Sequence, residues 1–167
     1  VNLTGTLGEF TNVLGGVITS TSADVKITHL TGGSHSFNGQ STTITNFTGG
    51  TATLNGVQAL VTTFGGTATA TATSNITVGT MHGGILTLQG SGPSSFITRL
   101  SGGTLSISGS DVLVTVNAGN SPAFGNGADI IGNGSLTKLT VATLNLNTIN
   151  LAGTTRHQEG VINVGGS

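Results

Sequence analysis

The chain alternates apolar and polar residues in short bursts. SHSF (34–37), TATL (51–54), TATA (67–70), ILTL (85–88), TLSI (104–107) and TLNL (143–146) share one pattern. Their first and third positions are mostly small and polar, their second and fourth mostly apolar. A period of two predicts strands with one face buried. No stretch shows the 3.6-residue period of an amphipathic helix. An all-β chain is predicted.

The bursts recur with a punctuation of glycine. Gly pairs fall at 15–16, 32–33, 49–50, 65–66, 83–84 and 102–103, at spacings of 17, 17, 16, 18 and 19 residues. The stretches leading into them also match: FTNVLGG (10–16), ITHLTGG (27–33), ITNFTGG (44–50), VTTFGG (61–66), ITVGTMHGG (76–84) and ITRLSGG (97–103). VTVNAGN (114–120) and LTKLTVA (136–142) are degenerate copies. Each begins with an apolar residue followed by Thr.

A unit of about 17 residues is too small to bury its own apolar face, so copies must stack like on like. This predicts a single-stranded parallel β-helix, or solenoid, of about eight rungs. Ile27, Ile44, Val61, Ile76, Ile97 and Val114 would form one inner stack. Leu30, Phe47, Phe64 and Leu100 would form a second, and Phe37, Leu54, Leu88, Ile107 and Leu146 a third. Gly32, Gly33, Gly49, Gly50, Gly102 and Gly103 are assigned to corners that need a positive φ or close rung packing.

The rival architecture is an antiparallel sandwich or meander. Asn-Gly at 38–39 and 55–56 is a strong hairpin signal, and alternating GG and NG turns would suit it. The solenoid is preferred because equivalent positions carry equivalent residue types, which a meander does not require. Residues 1–9 are expected to cap the N-terminal end and 10–142 to form the solenoid. Residues 143–167 are expected to form a C-terminal strand and tail, a candidate oligomerisation segment, because a bare solenoid end invites association.

Composition sharpens this picture. Thr, Gly, Ser and Asn occupy 90 of 167 positions. Only 5% of residues are charged, against about 25% in ordinary domains. Disordered chains combine low hydrophobicity with high net charge, whereas this one carries regular β-branched alternation and a net charge of −1. There is no basic patch, which argues against nucleic-acid binding. No apolar run is long enough for a membrane-spanning helix. No signal peptide is visible, and the chain opens VNLTG without Met. Cysteine is absent, which removes disulfides and thiolate metal sites.

Few groups are available for chemistry. Asp111 and Asp129, in SDVL and ADII, occupy near-equivalent corners of neighbouring rungs. Stacked, they would be an acid and nucleophile pair or a cation site. The simpler reading is two turn residues bonding the local backbone, and Asp24 at a matching corner favours it. His29 and His35 flank one turn and His82 precedes another, with His35 pointing inward beside Phe37. No acid or Cys accompanies them, as a zinc site would need. His157 is expected to be exposed in the tail. The sequons at Asn2, Asn46, Asn75 and Asn133 are as frequent as chance allows in so Asn- and Thr-rich a chain. No catalytic, cofactor-binding or metal-binding residue is assigned, and the chain is expected not to be an enzyme.

The motif ITxLxGGTxTLxG, clearest at 27–39, 44–56 and 97–109 and looser over 10–146, resembles the Thr/Gly/Asn-rich β-helical modules of bacteriophage tail fibres, tailspikes and head-decoration proteins. It is similar in style to autotransporter and adhesin passenger repeats. The resemblance implies a structural protein of a virion surface, forming a homotrimer and meeting other virion proteins or a host surface glycan. The alternatives are an extracellular adhesin or carbohydrate-binding stalk, and an ice-binding solenoid. The last rests on the hydroxyl row Ser34/Ser36, Thr51/Thr53, Thr67/Thr69, Ile85/Thr87 and Thr104/Ser106.

Overall fold

The computed structural model of the chain describes residues 1–89, 95–108, 113–116, 128–133, 135–138 and 143–164. Among these there is no helix, and every strand pairing is parallel. The strands wind into a β-solenoid of about 8 turns at a spacing of ~17 residues. At about 4.8 Å per rung, this is a rod on the order of 40 Å long. The antiparallel alternative is excluded.

One rung shows how the sequence makes three sides. Asp24–Leu30 begins by alternating, with Val25 and Ile27 buried. Thr28 and His29 then face solvent in succession before Leu30 turns inward again. Two outward residues in a row mark a corner, and the ladder skips Thr28 on both neighbouring rungs. The Gly pair makes the next corner, and Ser34–Phe37 forms the third side, with His35 and Phe37 inward. Thr11, Thr28, Thr45, Thr62 and Thr98 are therefore corner residues, whereas Thr77 pairs within the ladder and Gly79 takes the corner of its rung.

Both glycines of the 49–50 corner are needed for close packing, since a Cβ at Gly50 would meet the backbone of Gly32 and Gly33, and Gly50 is needed for its φ as well. Gly50 takes φ 85°, a left-handed conformation that costs a residue with Cβ about 1–2 kcal/mol. Gly49 is needed for space, since a Cβ there would run into the carbonyl oxygen of Thr31 on the adjacent rung. The Asn-Gly pairs are corners too. Gly39 and Gly56 are not among the positive-φ glycines, as the hairpin turn would require. Each instead admits close stacking: a Cβ at Gly39 would meet the carbonyl oxygen of Ser22, and one at Gly56 that of Gly39.

The inner columns run through the rungs. Val13, Leu30, Phe47, Phe64, Met81 and Leu100 pair in sequence, and each is at most 6% exposed. Met81 and Val13 join a column expected to hold only four residues. Ile27, Ile44, Val61 and Ile97 stack as predicted in type, but the member between Val61 and Ile97 is Val78, not Ile76. Ile76 pairs with Ala59, and beyond Ile97 the partner is Val116 rather than Val114. These are slips of two residues, which keep the same face and so leave the alternation unchanged. The third column, Phe37, Leu54, Leu88 and Ile107, includes Ala72 and continues through Gly132 to Leu151. Leu146 pairs with Ala128 and Val164 instead.

One further expectation is corrected. Thr51 pairs with Thr69, not Thr67, because Ala68 is drawn into the corner. Its N–H donates to Gly65 O at 3.2 Å and its side chain is fully buried. The ladder includes strands within residues 1–9 and 143–164 as well. Asn2–Leu3 pairs with Thr19 and Ser20, and Leu7–Val13 with the next rung. At the other end, Thr143–Leu151 pairs in parallel with Ala128–Gly132 and with Val161–Val164.

Candidate functional site

Among the described residues, four surface features and one interior group are candidates for chemistry. The acids come first. Asp24 opens the first side of its rung, in register with Leu7 and Ser41. Asp129 lies on the third side, in register with Thr104 and Thr148. The two do not share a corner, contrary to the sequence expectation, because the Gly-pair corner separates the sides they stand on. Asp111 lies outside the described residues, so its pairing with Asp129 does too. Glu9 and Lys26 face each other on adjacent rungs at 3.4 Å, both well exposed, a geometry worth at most about 1 kcal/mol.

The histidines are dispersed. His29 is exposed, with Nδ1 at 3.3 Å from Asn46 Nδ2 on the next rung. The ring of His82 lies across Gly65, where a Cβ would have no room. His157 is exposed and registers with Lys138. Among the described residues, no three His, Asp or Glu gather round one point.

His35 is the interior group, 3% exposed. It occupies a column otherwise held by Ile18, Ala52, Ala70, Leu86, Leu105 and Ile130. Its Nδ1 accepts the N–H of Ile18 at 3.2 Å, so Nε2 carries the proton and donates to Gly32 O at 2.7 Å. The ring stacks on Phe37 with centroids 6.1 Å apart. Both nitrogens are committed to backbone groups, so His35 ties two rungs together across the Gly corner.

The hydroxyl face is the most regular surface. The outward residues of the third side form two columns. One is Val17, Ser34, Thr51, Thr69, Ile85 and Thr104; the other is Thr19, Ser36, Thr53, Thr71, Thr87 and Ser106. No charge interrupts either column over these rungs. The predicted row is present, with Thr69/Thr71 in place of Thr67/Thr69.

At the third corner, side-chain amides stack where the sequence reading saw only turns. Asn55 Nδ2 donates to Asn38 Oδ1 at 3.0 Å, Thr73 Oγ1 donates to Asn55 Oδ1 at 3.1 Å, and Asn38 Nδ2 donates to Ser36 Oγ at 3.3 Å. The signal was legible, since FNG and LNG recur 17 residues apart. Beside this ladder runs an open groove of about 500 Å³, with Thr4, Thr6, Thr21, Asn38, Gln40 and Val57 in its walls. Hydroxyls, amides and one exposed Val suit an uncharged polyhydroxylated ligand rather than an ionic one. No protein-family model, curated protein or solved structure matches the chain.

Proposed function

We propose that the chain is a non-enzymatic structural protein of a virion surface, a capsid-decorating or tail-fibre module that stabilises an assembly or presents a host-contact surface. The observation that carries this reading is the unbroken inner column Val13, Leu30, Phe47, Phe64, Met81 and Leu100. A close-packed column transmits load along a rod, as a fibre or cement module must. The sparse charge supports the same reading, because copies with so few like charges do not repel one another at close quarters. The partners proposed are copies of this chain, as a homotrimer, together with other virion proteins or a host surface glycan. The groove beside Asn38 would be the recess for such a glycan.

Antibodies raised against the purified chain test the location. They should decorate particles from the source culture in negative-stain electron microscopy. Labelling confined to cell envelopes would place the protein on a cell surface instead and overturn the virion assignment.

One observation favours a second reading, ice binding. The uncharged double column is mostly Thr and Ser and repeats from rung to rung, and its hydroxyl and methyl groups would order water in ranks. An ice-recrystallisation assay decides it. Inhibition that disappears in Thr53→Tyr with Thr71→Tyr supports that reading, and unimpeded crystal growth removes it.

A further inference from the structure

The Asn-Gly corners carry a chemistry that neither a structural nor an ice-binding role uses. We infer that Asn38–Gly39 and Asn55–Gly56 are paired sites of self-modification, at which each Asn side chain is converted to a carboxylate by its own backbone. Three observations meet there. Both Asn residues are exposed, so water reaches them. The N–H groups of Gly39 and Gly56 donate no hydrogen bond to any described residue, although Asn38 N and Asn55 N each donate to the neighbouring rung at 2.8 and 2.9 Å. The nucleophile of each site is therefore unbonded, with Gly39 half-buried and Gly56 buried against the neighbouring rung. Finally, each electrophile is polarised. Asn38 Oδ1 accepts from Asn55 Nδ2, and Asn55 Oδ1 accepts from Thr73 Oγ1. A donor on the carbonyl oxygen stabilises the negative charge that develops there during attack.

The step balances without an oxidant or reductant. The backbone nitrogen of Gly39 attacks Cγ of Asn38. The Gly39 amide proton and the Asn38 side-chain amide leave together as ammonia, closing a succinimide. Water then opens the ring at either carbonyl, leaving aspartate or an isoaspartate linkage at that position. Gly56 and Asn55 react in the same way.

The stacking gives the two events unequal consequences. A carboxylate at position 38 still accepts from Asn55 Nδ2, now as a charge-assisted bond. Conversion at Asn55 removes that donor, and conversion at both positions sets two carboxylates directly opposite on adjacent rungs, where like charges repel. The corner therefore tolerates conversion at Asn38 alone and loosens once Asn55 converts. This inference holds whichever surface the rod serves.

The test uses the intact chain, aged at mildly alkaline pH and sampled over time by peptide mapping with isoaspartate detection. Acid should accumulate at positions 38 and 55, while exposed Asn12 and Asn150, which no Gly follows, stay amides. Thr73→Ala should slow conversion at Asn55 severalfold and leave Asn38 unchanged. Thermal stability should fall in doubly converted molecules and hold in those converted at Asn38 alone. If both sites stay amides in the folded protein while the urea-unfolded chain converts, the ladder shields them and the inference fails. Equal rates at Asn55 with and without Thr73 would overturn the polarisation argument.

Discussion

Phe47 and Phe64 stand one rung apart with ring centroids 5.2 Å apart and planes at 86°, edge to face. Both are fully buried, and they sit mid-column between Leu30 and Met81. Phe64→Ala should cost about 3–5 kcal/mol, the usual range for a buried Phe. Part of that loss belongs to the pair. A double-mutant cycle with Phe47→Ala should return a coupling of about 0.5–1.5 kcal/mol, measured by denaturant unfolding. Additive losses would mean that the rings pack independently.

The two kinds of corner glycine should respond differently to a methyl group. Gly16→Ala strains a left-handed residue, φ 81°, that has open space around it and should cost about 1–2 kcal/mol. Gly39→Ala drives a Cβ into the backbone carbonyl of Ser22, which no rotamer relieves. It should cost more than about 3 kcal/mol or prevent folding. Circular dichroism melts of the two variants check the order.

Two polar side chains buried in apolar columns should move stability in opposite directions. Thr42 is 2% exposed and its Oγ1 has no hydrogen-bond partner. Thr42→Val keeps the shape and removes an unpaired hydroxyl, so it should raise stability by about 1 kcal/mol. His35 is the contrary case, because both its nitrogens are bonded to backbone. His35→Ala leaves the Ile18 N–H and the Gly32 carbonyl without these partners and should lower stability by about 2–4 kcal/mol. Equilibrium urea unfolding measures both.

Register is testable because the chain has no cysteine of its own. Thr53 lies opposite Thr71, at the rung spacing of about 4.8 Å that a disulfide accepts. Thr53→Cys with Thr71→Cys should oxidise readily. Thr53→Cys with Thr69→Cys spans a diagonal and should lag behind. The reverse order would restore the register that the sequence alone suggested.

The difference between those registers shows what was legible in the sequence. Alternation and the Gly pairs revealed the strands, the parallel stacking and the buried residues Ile27, Leu30, Ile44, Phe47, Leu54, Val61, Phe64, Ile97, Leu100 and Ile107, all within 5% exposure. What alternation cannot show is a slip of two, since Ile76 and Val78 both point inward. The corner that absorbs Ala68 is equally silent, because TATATA reads the same in either frame. The Asn38–Asn55 ladder left a signal, the recurrence of Asn-Gly 17 residues apart, that points equally to a turn. Asn-Gly is so strong a hairpin signal that its alternative use, a stacked amide beside a closely packed glycine, emerges only when rungs are placed on one another. Asp129 was aligned with Asp24 from their shared corner-like context, and only the strand register separates them by a side of the rod.

The measurement that bears most directly on the proposed assembly role is the solution mass of the purified chain by light scattering, before and after heating in detergent. A virion-surface rod of this kind should have three times the 16.4 kDa chain mass and keep it through detergent. A clean single-chain mass under both conditions would contradict the homotrimer and, with it, the proposed virion assembly.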